Sequence, residues 1–142
     1  MTDFGSPKVK KGIASSVLMM GALWLAVGLP LGYLGQSLWL DEGTSIWFAR
    51  QPLHVLLTSL CDPHPPGYYL LLKGWSSLGA GEVWLRLPSL AAAGLAVSLT
   101  YRLGQASLDR HSGRLASLLL ATHPLQSWYA AEARMYTWAQ AW

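Results

Sequence analysis

The sequence has little charge and a single cysteine, and both shortages restrict what the chain can be. Only 12% of its 142 residues are charged, about half the fraction usual in a soluble domain. Cys61 is the only cysteine, so an intrachain disulfide is excluded, and there is no zinc motif of the Cys and His type. The basic residues are scattered without an arginine-rich run, which argues against a nucleic-acid partner.

Charge is absent altogether from residues 13–40, and 52% of the whole chain is hydrophobic. A helix of about 20 apolar residues crosses the hydrocarbon core of a bilayer. Eight Trp and six Tyr fit this setting, because their rings favour the headgroup region. The composition therefore predicts a membrane protein, and the alternative is a helical soluble protein with an aromatic-rich core.

The apolar stretches predict an all-α polytopic membrane protein. Lysines precede the first stretch as in a signal peptide, but the stretch is too long for one, so an uncleaved span is expected. The predicted order is a cytoplasmic N-terminus (1–12), span one (13–34), an outer loop (35–82), span two (83–101), a cytoplasmic loop (102–114), span three (115–129), an outer loop (130–134) and the start of a fourth span (135–142).

The last predicted span is too short to cross a bilayer, since residues 135–142 supply only part of the length required. We therefore expect the chain to be the N-terminal part of a longer polytopic protein or a truncated product of one.

In the first outer loop, leucines recur at the spacing of one helix face (Leu53, Leu56, Leu57, Leu60). This spacing predicts a short interfacial helix, and residues 68–78 predict a second.

Lysine and arginine are in excess in the segments assigned to the cytoplasm, which fits the positive-inside rule. The acidic residues fall on the opposite side (Asp41, Glu42, Asp62, Glu82, Glu132). Three motifs on this outer side carry residues suited to chemistry, and each also has a structural interpretation.

The first motif is the adjacent pair Asp41 and Glu42, which directly follows the uncharged stretch. At a helix start the two carboxylates point about 100° apart and would serve different partners. One could act as general base on an acceptor, while the other binds a divalent cation or orients the first. The structural interpretation is a helix cap, because Asp and Glu are favoured at helix N-termini.

The second motif is His64, held between prolines beside Asp62. A rigid histidine there suits a metal ligand or a polar substrate contact, and the alternative is a turn between two helices.

The third motif contains Glu132, Arg134 and Tyr136. An arginine at a membrane mouth suits a lipid phosphate, and the alternative is a charge that marks a span boundary. His123 before Pro124 is better explained as a helix-end histidine.

Four segments in this order, residues 41–42, 64–73, 84–90 and 123–136, resemble the GT-C class of membrane glycosyltransferases. The group they resemble most is the bacterial relatives of the dolichyl-phosphate-mannose protein mannosyltransferases, which include the lipid A aminoarabinose transferases. The resemblance covers residues 39–142. It implies a GT-C fold, many more spans than this chain holds, and location in the bacterial plasma (inner) membrane with the active-site loops facing the periplasm or exterior.

The resemblance also implies an activity, the transfer of a sugar from a polyprenyl-phosphate donor to a lipid, glycan or protein acceptor on the outer face of the membrane. Asp41 would be the base, with Glu42 beside it as a second catalytic carboxylate. His64, Glu132, Arg134 and Tyr136 would bind substrate, Arg134 at the donor phosphate. A divalent metal cation is a possible cofactor in this class, and no metal ligand is assigned.

The 142-residue form is expected to lack a complete active site. The alternatives to an enzyme fragment are a non-enzymatic small membrane subunit or assembly module, and an inactive truncated relic. A transporter fragment is disfavoured because the charges lie in the loops instead of within the spans.

Overall fold

The computed structural model describes residues 7–58, 64 and 66–141, with side chains from residue 16 onward. In that part of the chain all regular secondary structure is helical. The helices are α1 (Pro7–Leu31), α2 (Leu40–Arg50), α3 (Leu53–Thr58), α4 (Gly67–Ser76), α5 (Glu82–Ser107), α6 (Arg110–Thr122), α7 (Pro124–Ala130) and α8 (Tyr136–Ala141).

The described residues are all helical as predicted, but the predicted polytopic membrane architecture with the helices of a GT-C fold is wrong. Among the described residues one helix, α5, is both long and apolar enough to cross a bilayer. Half of its most apolar window is buried inside the protein. The apolar part of α1 with described side chains, Ser16–Leu31, is shorter than the about 20 residues a span needs.

The region predicted as a third span is two short helices that meet at Pro124. Proline has no backbone N–H and disfavours a helical conformation in the residue before it. His123 is accordingly extended, with φ −69° and ψ 129°. The 13 residues of α6 and the 7 of α7 rise only about 20 and 10 Å. Neither reaches across a bilayer core.

The predicted boundaries differ elsewhere by a few residues. Helix α5 begins one residue before the predicted second span and continues to Ser107, six residues beyond its predicted end at 101. The segment predicted as the first outer loop (35–82) contains α2 as well as the two short helices α3 and α4. Leu60, Asp62 and residues 1–6 lie outside the described residues, as does Trp142.

Helix α5 is the centre of the fold and packs against α1, α4, α6, α7 and α8. Its alanines Ala92, Ala93 and Ala96 are at most 1% exposed. Small side chains let helix axes approach closely. One buried cluster accordingly joins three helices through small residues: Ala22 and Ala26 of α1, Val97 of α5 and Ala121 of α6.

The α5–α6 hairpin depends on two glycines that face each other. A Cβ added to Gly104 would lie 2.7 Å from the Cα of Gly113, and one added to Gly113 would lie 2.6 Å from the carbonyl oxygen of Tyr101. Asp109 begins α6 in the turn between them, because its Oδ1 accepts a hydrogen bond from the Ser112 N–H at 2.8 Å. The hairpin therefore closes backbone against backbone.

A second buried cluster supports the site described below. It includes Ile46 and Phe48 of α2, Tyr69 and Leu72 of α4, and Leu85 of α5. These side chains fix α2 against α4 and the start of α5. The first turn of α2, which carries the acidic pair, is thereby held near the N-terminal end of α5.

Candidate functional site

The centre of the candidate site is a buried ion pair between Glu42 of α2 and Arg86 of α5. Arg86 Nε donates to Glu42 Oε1 at 2.8 Å, and Arg86 Nη2 donates to Oε2 at 2.6 Å. Glu42 is fully buried and Arg86 is 1% exposed. Two parallel charge-assisted hydrogen bonds fix both the distance and the orientation of the side chains.

Arg86 also organises the connection between α1 and α2. Its Nη1 donates to the carbonyl oxygens of Leu34 at 2.6 Å and Gln36 at 2.7 Å, and its Nη2 lies 3.4 Å from that of Ser37. Burying a guanidinium costs free energy unless its donors are paired. The segment between α1 and α2 thus supplies the acceptors that Glu42 does not.

Glu42 in turn holds two backbone N–H groups. Its Oε1 accepts from Ala133 N at 2.8 Å, and its Oε2 accepts from Trp39 N at 3.1 Å. The Trp39 contact is a helix cap, because it pairs an N–H at the start of α2. Burial alone would raise the pKa of the Glu42 carboxyl, but hydrogen bonds from Arg86, Ala133 and Trp39 hold that pKa below its usual value. We call this network, Glu42 with Arg86 and their backbone partners, the Glu42–Arg86 clamp.

Asp41 points away from the clamp, as expected for adjacent residues on a helix. Its side chain is 70% exposed, and its Oδ2 lies 3.8 Å from Arg134 Nη2. The pair therefore divides: Glu42 lies inside the protein and Asp41 faces solvent. Their position in the first turn of α2 is favourable, since carboxylates there meet the positive end of the helix dipole.

Arg134 is buried beside Asp41, with 7% of its surface exposed. Its Nη1 donates to the Asp41 carbonyl at 3.2 Å and lies 3.4 Å from Ser45 Oγ, and its Nη2 donates to Tyr136 Oη at 3.2 Å. The guanidinium also sits 5.4 Å from the centre of the Tyr136 ring. Its buried Nε has no hydrogen-bond partner among the described residues.

The segment that carries Arg134 is held from two sides. Ser89 Oγ of α5 donates to the Arg134 carbonyl at 3.1 Å, and the Glu42–Arg86 clamp holds the neighbouring Ala133 N–H. Glu132, which precedes Ala133 in the chain, is partly buried. Burial raises the pKa of its carboxyl above the usual value, and the negative charges of Glu42 and Asp41 act in the same direction. A hydrogen bond with the Trp128 side chain and the positive charge of Arg134 act against this rise.

Five of the six predicted site residues come together in the structure: Asp41, Glu42, Glu132, Arg134 and Tyr136. His64 lies in the segment between α3 and α4 and is half-buried. Asp62, Pro63 and Pro65 around it lie outside the described residues, so its contribution to the site stays a prediction. His123 starts α7, because its Nδ1 accepts the Leu125 N–H at 3.2 Å, which is the helix-end role expected for it.

Arg86 was not among the predicted site residues. It lies 44 residues from Glu42, and an arginine in the first turns of a span is typical of a boundary charge. Its position inside the resembling segment 84–90 was the one available signal. Ser45, one turn after Asp41, was likewise missed.

The divalent cation considered from the resemblance finds no ligand set here. Within the described part of the chain, no three side chains of His, Cys, Asp or Glu come together closely enough to hold a metal. Asp41 and Glu132 are the acidic groups near Arg134, and Glu42 is committed to Arg86. No step of the proposed reaction is assigned to a metal.

Comparisons with models of protein families, with curated proteins and with solved structures find no match to this chain.

Proposed function

We propose that this chain carries part of the active site of a glycosyltransferase that uses a polyprenyl-phosphate-linked sugar. The observation that carries the proposal is the pairing of exposed Asp41 with buried Arg134, 3.8 Å apart and 93 residues distant in sequence. An exposed carboxylate beside a fixed guanidinium suits a reaction that removes a proton and releases a phosphate. The motifs that resemble the mannosyltransferase relatives contribute both residues.

In the proposed reaction, Asp41 accepts the proton of an acceptor hydroxyl. The oxygen attacks the anomeric carbon of the donor, and the bond between that carbon and the phosphate oxygen breaks. Polyprenyl phosphate leaves with the electron pair, and Arg134 stabilises its charge. Tyr136 donates no group to the reaction but orients Arg134 through its hydroxyl and ring.

Glu42 has a positioning role in this proposal. Its oxygens are occupied by Arg86, Ala133 and Trp39, which leaves no direction from which a substrate proton can reach it. Glu42 accepts a hydrogen bond from Ala133 N, next to Arg134, and lies in the first turn of α2 beside Asp41. It thereby sets the distance between the Asp41 carboxylate and the Arg134 guanidinium. Precise placement of such groups contributes strongly to catalysis.

We infer a location at a membrane, with the site on the outer side of a bacterial plasma (inner) membrane and membrane lipids as neighbours. Large apolar side chains on α1, α5 and α6 support this: Met20 is 68% exposed, Trp24 76%, Leu103 68% and Leu119 69%. Apolar surface of this kind favours contact with lipid or with another apolar surface over water. The acceptor could be a lipid, a glycan or a protein.

The test is sugar transfer from a radiolabelled polyprenyl-phosphate sugar in membranes that contain the chain or any longer reading frame that includes it. Asp41→Asn should abolish transfer and leave the amount of membrane-bound protein unchanged, because it removes charge with little change in volume. Glu82→Gln is the matched control, since Glu82 is an exposed carboxylate at the start of α5, and should retain activity. Full activity in Asp41→Asn would contradict the role of Asp41, and no transfer with any donor would favour the non-enzymatic membrane subunit.

A further inference from the structure

A cavity lies at the end of α2 away from Asp41, between the last turns of α2 and α4 and the start of α5. Its volume is about 410 Å³, within the range of about 300–1,000 Å³ typical of small-molecule sites. Ile46 and Leu85 supply buried apolar surface to it. None of the described residues that hydrogen-bond the Arg134 side chain lines it, so the cavity is separate from the candidate site around Asp41.

Lys73 of α4 lines this cavity and is fixed there by the end of α2. Its Nζ donates to the carbonyl oxygens of Gln51 at 2.8 Å and Ala49 at 3.3 Å. An ammonium group has three N–H donors, so one remains for a ligand. Carbonyl oxygens carry no full charge, and no described carboxylate forms a salt bridge with Lys73. The ammonium is therefore a fixed positive charge beside the cavity.

Arg50, the last residue of α2, is the second positive charge in the lining. Its side chain is exposed, and its guanidinium takes part in no salt bridge between described residues. The planar group can bind two oxygens of one phosphate at once. Both cations lie near the C-terminal end of α2, whose partial charge of about −0.5 is smaller than the two unit charges they carry. The cavity is thus positive overall.

The rest of the lining indicates which anion fits. No Asp or Glu is among the described residues that line the cavity. Two positive charges match a phosphate monoester, which carries about −1.5 to −2 near pH 7, better than a carboxylate with a single charge. The hydroxyls of Ser76 and Ser77 donate to α4 carbonyls at 3.0 and 2.6 Å. Their oxygens can therefore accept hydrogen bonds from hydroxyl groups of a ligand.

We propose that this cavity binds the phosphate monoester of a small hydroxylated group, either as a free ester or as the headgroup of a lipid. Arg50 and Lys73 bind the phosphate, one from α2 and one from α4. The serine hydroxyls accept hydrogen bonds from the hydroxylated group, and the buried apolar surface contacts its carbon atoms. The site does not depend on sugar transfer, since binding alone tests it.

The experiment titrates glycerol 3-phosphate into the purified chain in an uncharged detergent and follows the backbone amide signals of Ser77 and Ala80, two lining residues, by NMR. Glycerol lacks the phosphate, and glycerate carries a carboxylate in its place. We expect glycerol 3-phosphate to shift both signals to saturation, glycerate to bind more weakly and glycerol to leave the signals in place. No shift with glycerol 3-phosphate, or equal affinity for any two of the probes, would overturn the proposal.

Variants separate a defined site from general attraction to a basic protein. Arg50→Gln removes an exposed charge without breaking a salt bridge, so the fold should be kept, and we expect glycerol 3-phosphate to bind about tenfold more weakly. Arg50→Lys keeps the charge but not the planar group and should keep part of the affinity. Arg102→Gln is the control, because Arg102 is an exposed arginine that does not line the cavity. Unchanged affinity in Arg50→Gln, or an equal loss in the control, would contradict the site.

Nanodiscs distinguish the two sources of the phosphate. If a lipid headgroup is the ligand, the Ser77 signal in nanodiscs that contain lysophosphatidic acid should match the position with bound glycerol 3-phosphate, and the added free ester should have little effect. If a free ester is the ligand, it should titrate equally with and without lysophosphatidic acid. Both results support the site. Equal shifts by lysophosphatidic acid and by phosphatidylglycerol, a phosphate diester, would show a response to negative charge alone and would argue against it.

Discussion

At the scale of single residues, the adjacent carboxylates Asp41 and Glu42 have different environments and different partners. Their separation follows from helix geometry, since neighbouring side chains point about 100° apart. Glu42 is fully buried, whereas the Asp41 side chain is 70% exposed. The sequence predicted different partners for the two, but it could not show which would be buried, because that depends on Arg86, a residue 44 positions away.

The Glu42–Arg86 clamp should be sensitive to loss of one partner. Arg86→Met leaves Glu42 buried without its cation, and breaking such a pair costs about 3–5 kcal/mol. We expect the free energy of unfolding, measured by denaturant titration in mild detergent, to fall by that amount. Arg102→Met is the control, because Arg102 is an exposed arginine further along α5. A loss below about 1 kcal/mol for Arg86→Met would mean that the clamp contributes no more than a surface pair.

The double variant Glu42→Gln with Arg86→Met tests whether the two residues act as one unit. Residues in direct contact show non-additive effects. The double variant should therefore lose less than the sum of the single losses, because neither single charge remains buried alone. Additive losses in the same denaturant titration would show that the residues act independently.

Glu42 also predicts how stability depends on pH. Its folded pKa is lowered, so the stabilisation is complete above the unfolded value of about 4.3 and is lost as pH falls through the folded pKa. Glu132, whose folded pKa is raised, acts with the opposite sign: ionising it disfavours the folded state as pH rises through and above about 4.3. Thermal unfolding between pH 3 and 7 should show a flatter acid limb in Glu42→Gln than in the parent chain. An unchanged acid limb would remove Glu42 as its cause.

At the scale of helices, the α5–α6 hairpin depends on close backbone contact at Gly104 and Gly113. Gly113→Ala places a methyl group 2.6 Å from the Tyr101 carbonyl oxygen and should destabilise the fold by about 1–3 kcal/mol. Gly74→Ala in α4 is the matched control, since nothing lies within 4 Å of the added carbon. There the better helix propensity of alanine should stabilise by up to about 1 kcal/mol. Thermal unfolding measures both, and equal effects of the two substitutions would contradict backbone contact in the hairpin.

Helix positions could be predicted better than helix lengths. The leucine spacing over 53–60 predicted a helix where α3 spans Leu53–Thr58, and the helix predicted at 68–78 corresponds to α4 at Gly67–Ser76, since both signals are local. The predicted third span was wrong because its apolar composition does not show the break at Pro124. Proline has no backbone N–H, so α6 ends before it and α7 begins with it. Helix α5 continues six residues beyond the predicted end of span two at 101. It can include charged and polar residues such as Arg102 because it packs against α6.

At the scale of the whole molecule, the distribution of apolar surface predicts how the chain partitions. Met20→Asp places a charge on the exposed apolar side of α1 and should lower the fraction that stays with membranes after an alkaline wash, since a carboxylate within a bilayer is strongly disfavoured. Leu78→Asp is the control, because Leu78 is 72% exposed but lies in the turn after α4. Equal retention of both variants, or a parent chain found in the soluble fraction, would contradict membrane contact through α1.

The site as a whole could be predicted only in part. The sequence predicted that the segments around 41–42 and 132–136 lie on the same side of a membrane, which stays a prediction, and in the structure Arg134 contacts Asp41. It could not indicate that the Trp128 ring packs against those of Tyr33 and Trp39, since each ring fits the common role of an aromatic residue near a membrane interface. Their convergence depends on the connection between α1 and α2, which Arg86 shapes through backbone carbonyls.

The Glu42–Arg86 clamp also has a consequence for the order of events during synthesis. Arg86 can find Glu42 and the carbonyls of Leu34 and Gln36 as soon as the start of α5 has left the ribosome, since all of these precede it. The Ala133 N–H that completes the clamp lies 91 residues after Glu42, and Arg134 follows one residue later. A nascent chain shorter than 133 residues therefore lacks both the Ala133 hydrogen bond to Glu42 and the arginine that contacts Asp41. Arg134 therefore joins Asp41 only after all the partners of Glu42 have been synthesised.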